Sequence, residues 1–194
     1  MHPKCFRACQ YAILILLSTS LIGCVSVTMP PPSATASTVE KLRGSNLVPS
    51  TAGNFTVAPG RNPDMDRTVG GLRGSSLQAS SGSFSQQLKE VIIAELKAAG
   101  LYDEKSQVQI EAQLTDSQVD AAIGTGTARL AARFTVNRMS KRVFDKEISV
   151  DDQWESSFVG AIALPAAVNH YTSLYKALAA KLFDDRDFRR VLAR

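Results

Sequence analysis

The chain has few of the side chains that catalysis and metal binding rely on. Its 194 residues include two histidines, three cysteines and one tryptophan. His2 falls in a segment read below as a leader, so His170 is the one histidine left to a folded domain. Zinc sites need clustered His, Cys or carboxylate ligands, and neither Asp151-Asp152 nor Asp184, Asp185 and Asp187 has the glycine-punctuated spacing of a calcium loop. No Gly-x-Ser-x-Gly elbow supplies a nucleophile for His170, which reads as an exposed or helix-packed residue with no visible partner in a catalytic or metal set. Gly124-Thr-Gly-Thr127 offers backbone amides, but it leads into a strand and not a helix, so no dipole supports a phosphate there. The expectation is therefore no catalytic residue, no metal, no cofactor and no enzyme.

Charge of one sign is also scarce. The whole chain carries 22 basic and 18 acidic residues. Arg186, Arg189, Arg190 and Arg194 alternate with the nearby aspartates, which suits a solvated helix face. No basic stripe with interleaved aromatics marks a nucleic-acid surface, so no nucleic-acid partner is expected. Long apolar runs are missing too. The run Tyr11 to Leu17 is far shorter than the ~20 residues that cross a bilayer as a helix.

That short run is nevertheless the most informative feature. Lys4 and Arg7 precede it, and Leu21-Ile22-Gly23-Cys24 follows it. A positive n-region, an apolar h-region and small residues at a cleavage point make a secretory signal, and the cysteine makes that signal a lipobox. Residues 1–23 are then removed, and Cys24 is acylated and becomes the first residue. Cys5 and Cys9 leave with the leader, so the mature chain holds one cysteine and no disulfide framework. Losing Lys4 and Arg7 leaves 20 bases against 18 acids, a net charge of +2.

Residues 24–40 contain Met-Pro-Pro-Pro-Ser-Ala-Thr-Ala-Ser-Thr, a proline-stiffened polar stretch read as a flexible tether. Residues 41–194 are expected to form one domain. Lys41-Leu-Arg-Gly-Ser-Asn-Leu and Gly71-Leu-Arg-Gly-Ser-Ser-Leu repeat once, through either a shared loop conformation or chance. Phe55 to Val57 suits a short first strand, and Gly60 to Gly71 a loop. Ser83 with Gln86 suits a capping box, and Phe84, Leu88, Val91, Ile92, Leu96 and Ala99 make a helical apolar stripe closed by Gly100. Gln107 to Leu114 alternates as a half-buried strand, as does Thr127 to Val136. A turn over Asn137 to Lys141 returns the chain through Val143 to Trp154. Pro165 suits the first turn of a long helix with Val168, Tyr171, Tyr175, Leu178, Ala179 and Leu182 on its stripe, and Asp187 to Leu192 adds a further turn. The order β-α-β-β-β-α predicts an α+β two-layer sandwich, an antiparallel sheet covered on one face by two amphipathic helices. Trp154 and Phe158, just after the last strand, are candidates for a partner surface or for a plug where sheet meets helix.

The lipobox, Leu72-Arg-Gly-Ser75, Phe84 to Tyr102, Ile123 to Phe134 and Asp152 to Tyr171 together resemble a family of small proteobacterial lipoproteins, some of whose members are labelled UDP-N-acetylglucosamine acyltransferase. The chain departs from that label, because true acyltransferases of this kind are hexapeptide-repeat β-helices and no hexapeptide period is present. The order of lipobox, tether, helix, strands and helix is similar to that of the lipopolysaccharide-assembly lipoprotein that plugs an outer-membrane translocon, and of the auxiliary lipoprotein of ABC-type lipid transport. Only Cys24 carries over from these resemblances.

The expected function is a non-enzymatic lipoprotein of the Gram-negative envelope that binds an envelope protein or lipid as an assembly or transport accessory. Val25 replaces the aspartate that favours inner-membrane retention, so an outer-membrane anchor facing the periplasm is expected. A lipid or glycolipid carrier, with room beneath Ala112, Ala128, Ala132 and Ala179, is a second reading. An acyltransferase or hydrolase acting on envelope saccharides or lipids is a third.

Overall fold

The computed structural model describes residues 26–194; the leader and Cys24 lie outside the described residues. The expected β-α-β-β-β-α order is present, with further elements inserted around it. Strand β2 (Thr51–Val57), helix α2 (Phe84–Ala99), strands β5 (Val108–Asp120), β6 (Gly124–Arg138) and β7 (Lys141–Ser156), and helix α3 (Gly160–Asp184) form the main sandwich. Its sheet has the order β2-β5-β6-β7. The β5-β6-β7 meander is antiparallel, and β2 joins β5 in parallel. The helices cover one face of this sheet. A left-handed β-helix is not what these residues build.

Local chemistry explains the boundaries. The Ser83 hydroxyl accepts the Gln86 amide at 3.1 Å, and Gly100 closes α2 in the left-handed conformation at φ 75°. Phe84, Leu88, Val91, Ile92 and Leu96 are buried along the predicted stripe. Strand β5 runs six residues past the predicted end because its alternation changes phase. Register slips between Leu114 and Asp116, so Thr115 is an extra residue, and the inward positions move from Val108, Ile110, Ala112 and Leu114 to Ser117 and Val119. The β6–β7 turn places Met139 and Ser140 at φ 49° and 63°. This is the twist a two-residue hairpin turn prefers, reached here without the usual Asn-Gly pair. Helix α3 begins five residues before Pro165, so the proline falls in its second turn, where it denies Ala161 a hydrogen-bond donor. Helix α4 (Arg186–Leu192) packs Phe188 edge-on against Phe144 and Phe183.

The segment expected to be a tether is built into the domain. Strand β1 (Ser26–Thr28) joins a second sheet of order β1-β4-β3, with β3 at Val69–Leu72 and β4 at Ser75–Gln78. Met29 is buried and its amide donates to the Gln78 carbonyl. Helix α1 (Ala36–Arg43) buries Thr38, Val39 and Leu42. Proline and small polar residues do not exclude packing where backbone pairing and a few well-spaced apolar side chains are available. The Gly60 to Gly71 loop likewise contains a 3-10 turn, Pro63–Asp66, and most of β3. The two copies of the Leu-Arg-Gly-Ser repeat adopt unrelated conformations. The first ends α1, and the second forms the β3–β4 turn with Arg73 and Gly74 at φ 50° and 90°. The repeat has no structural meaning.

Glu95 ties the N-terminal segment to α2. It is fully buried, and one of its oxygens accepts the Thr35 amide at 2.8 Å, at the start of α1. Burial raises its carboxyl above the usual range, against the Thr35 hydrogen bonds and the positive charge of Lys176. A carboxyl raised in the folded state binds protons more tightly there than when unfolded. Its ionisation therefore costs stability, and the cost grows as pH rises from the ordinary carboxylate range through the raised value. Glu95→Gln keeps an acceptor for Thr35 and removes the charge. Thermal melts across acidic to neutral pH should show the variant gaining on the wild type as pH rises; parallel curves would contradict this.

Candidate functional site

The end of the sandwich that carries the β5–β6 turn gathers most of the unusual side chains. Gly126 on β6 lies directly opposite Trp154 on β7. A Cβ at Gly126 would lie 2.2 Å from the indole, so the glycine is the ring's seat. From the helix layer, His170 on α3 stacks on the indole with centroids 4.3 Å apart and planes 5° from parallel. The His170 Nδ1 and Asp152 Oδ2 are 2.7 Å apart. His170 thus has two partners, an acidic one and an aromatic one. The sequence hides the pair, because Asp152 and His170 meet only where α3 crosses the edge strand β7. The described hydrogen bonds bring no serine, threonine or cysteine to the imidazole, so no nucleophile–base–acid arrangement forms around it.

Trp154 is buried, and its indole N–H finds no acceptor among the described residues. Its burial fits the plug, one of the two readings considered for it. Phe158 is 79% exposed. The two aromatic residues that the sequence placed together point to different surroundings. Phe158 is accompanied by Ile123, Val159 and Ile162, which are also exposed. Ile123 precedes a Gly-Thr-Gly run, and Ile162 lies before the helical proline, so no periodic pattern flagged either.

Arg73 fastens this end together. Its Nε donates to the Ala121 carbonyl at 2.6 Å and its Nη1 to the Phe158 carbonyl at 3.0 Å; Nη2 donates to the Ser157 carbonyl at 2.6 Å and to the Ser156 hydroxyl at 3.2 Å. The tip of the β3–β4 hairpin is thereby fixed to both the β5–β6 turn and the β7–α3 connection. The Ala121 amide donates to the Gly71 carbonyl at 2.8 Å, which seats β3 on the end of β5.

Two tyrosines deeper in the core bond to each other. The hydroxyls of Ser117 and Tyr171 are 2.6 Å apart, and those of Tyr171 and Tyr175 are 3.2 Å apart. Burial pushes Tyr171 up to about 12 and raises Tyr175 well above its ordinary value. Both are sealed from solvent and satisfy each other's hydroxyls.

The open face of the main sheet carries a groove of about 480 Å³ lined by Gln118, Asp120, Thr127, Arg129, Asp151 and Gln153. Arg129 in this groove is held between Asp151 at 2.6 Å and Asp116 at 3.1 Å. The four alanines considered as a carrier's empty space, Ala112, Ala128, Ala132 and Ala179, are packed into the continuous core. A cleft between α1 and α3, lined by Thr38, Leu42, Ala180 and Phe183, has room for about 10 Å³, no more than one water. Among the described residues, no group of three or more His, Cys, Asp or Glu is placed to hold a metal ion.

His170→Ala should keep the fold and lose about 1–2 kcal/mol, since an aromatic stack contributes roughly 0.5–1.5 kcal/mol beyond its buried area and Asp152 loses its partner. Trp154 is the only tryptophan, so its emission should shift to the red as the imidazole cover is lost. Unchanged emission would mean that the ring is not shielded by His170.

No family model matches the chain, and no curated protein matches it. Solved structures do. A crystal structure of a Xanthomonas campestris protein of the DUF330 family aligns over 82% of this chain and 95% of its own, with 11% identity and a TM-score of 0.53. A minor lipoprotein from Acinetobacter baumannii aligns over 75% of this chain and 95% of its own, with 12% identity and a TM-score of 0.44. The chain shares its α+β fold with the Xanthomonas protein.

Proposed function

We propose that the protein is a lipid-anchored component of the Gram-negative envelope that acts by binding and not by catalysis, as an assembly or transport accessory. The observation that carries this reading is the lipobox Leu21-Ile22-Gly23-Cys24 directly ahead of a packed domain. Val25 favours the outer membrane over the inner, with the domain in the periplasm. A paired and stacked His170 without a neighbouring nucleophile supports binding over turnover, and the filled core supports a protein or membrane-surface partner over an enclosed lipid.

Cys24→Ala should leave either the uncleaved precursor or a protein that no longer floats with membrane vesicles. A variant that still floats and has been cleaved at residue 24 would remove the anchor from the account. Crosslinking of the wild-type lipoprotein in intact envelopes should then recover one recurrent envelope component. In a strain lacking the protein, His170→Ala should restore the wild-type phenotype. If it folds and behaves like the deletion, the binding reading loses its main support and the enzyme reading takes first place.

A further inference from the structure

We infer that the apolar end of the sandwich rests on the lipid leaflet that holds the acylated Cys24, so that the domain is oriented on the membrane and does not hang from it. This rests on the anchor reading above. Of the five large apolar side chains exposed among the described residues, four share this end: Ile123, Phe158, Val159 and Ile162, exposed by 65, 79, 49 and 61%. Single exposed apolar residues are ordinary, whereas a cluster marks an interaction site.

The position of β1 identifies the occupant. Strand β1 pairs in parallel with β4, with Ser26 opposite Ser76. The first residue of β1 therefore lies beside the β3–β4 tip. That tip is Arg73–Gly74, and Arg73 donates to the carbonyls of Ser157 and Phe158. Gly124 pairs with Ser156, which brings Ile123 level with the same connection. Cys24 precedes Ser26 by two residues, which reach at most about 7 Å. The acyl chains and the apolar cluster thus leave the domain at one end, with too little chain between them to hold the cluster away from the leaflet.

Electrostatics agrees with an apolar contact. The basic group of this end, Arg73, is consumed by four acceptors, and Asp120 and Glu155 flank the turn. No basic patch recruits anionic headgroups, so the contact should not weaken with salt. An amphipathic surface of this kind beds into the headgroup and acyl boundary, roughly 5–10 Å deep. Lipidation already secures the anchor, and the cluster's contribution is the angle at which the open sheet face is presented.

The test uses the full lipoprotein in vesicles of phosphatidylethanolamine and phosphatidylglycerol. An acylated Cys24 has no free thiol, so an environment-sensitive fluorophore attaches only at an engineered cysteine. Phe158→Cys and Ile162→Cys report the cluster. Met139→Cys reports the β6–β7 turn at the far end of β6, roughly 45 Å away along the strand. The expected result is blue-shifted emission at 158 and 162, quenched by spin-labelled lipid at low and high salt alike, with neither effect at 139. Label taken up by the unmutated protein would show that Cys24 is free, overturning the anchor and the proposal with it. If the unmutated protein takes up no label, and the labelled variants float with the vesicles yet give solvent-like emission at both 158 and 162, the proposal alone is overturned. Shielding that appears only as protein density rises, without quenching by lipid, would assign the cluster to contact between protein molecules and likewise overturn the proposal.

Discussion

Leu96→Asp is expected to unfold the domain. Leu96 closes the apolar stripe of α2, is buried, and its carbonyl accepts the amide of Leu101 just past the helix cap. The substitution removes a buried leucine, whose burial contributes about 1.5–3 kcal/mol, and leaves a carboxylate in the core without a partner. An unpaired buried charge costs several kcal/mol more. Together these approach the whole stability of a typical domain, roughly 5–15 kcal/mol. Circular dichroism should show loss of cooperative melting. A variant that melts cooperatively within a few degrees of the wild type would mean that α2 does not form the core described.

Gly71→Ala should be the most damaging substitution that adds only a methyl group. Gly71 sits at φ 90°, and a Cβ there would stand 1.9 Å from the Val119 carbonyl oxygen. That oxygen is backbone of β5, inside the main sheet, and cannot swing aside as a flexible side chain would. The cost should reach about 3 kcal/mol or more, in the class of mutations with a named steric cause. Gly74→Ala supplies the control, because Gly74 has the same φ of 90° with nothing within 4 Å of the added carbon. It should show conformational strain alone, about 1–2 kcal/mol. Equal losses at the two sites would mean that β3 is not seated on β5.

These two sites mark how far the sequence could be read. Leu96 was legible because α2 carries cap, stripe and C-terminal glycine in sequence order, and each is a local signal. The β6–β7 hairpin was legible through alternation, although Met139 and Ser140 give no turn signature. Gly71 was not legible, because its constraint comes from β5, nearly fifty residues away. The same holds for the N-terminal segment. Its Pro-Pro-Pro composition suggested a tether, yet parallel pairing of Ser26–Thr28 with Ser76–Gln78 and the Thr35–Glu95 hydrogen bond hold it in place. Removing residues 25–39 would take away β1 and buried Met29, so that segment is part of the fold.

The candidate site divides in the same way. Trp154 and Phe158 are four residues apart, and the sequence offered no means of separating them. Gly126 and His170 turn the first into a covered plug, whereas the β7–α3 connection presents the second to the outside. The partnership of His170 with Asp152 depends on α3 crossing the edge of the sheet, which no local pattern encodes.

The anchor at Cys24 is the claim on which localisation, orientation and function all rest. Intact mass spectrometry of the protein extracted from cell membranes, with fragmentation of its N-terminal peptide, tests it directly. The account predicts a chain beginning at Cys24 that carries a thioether-linked diacylglyceryl group and an amide-linked acyl chain. A chain that retains residues 1–23, or one that begins elsewhere with an unmodified Cys24, would contradict it.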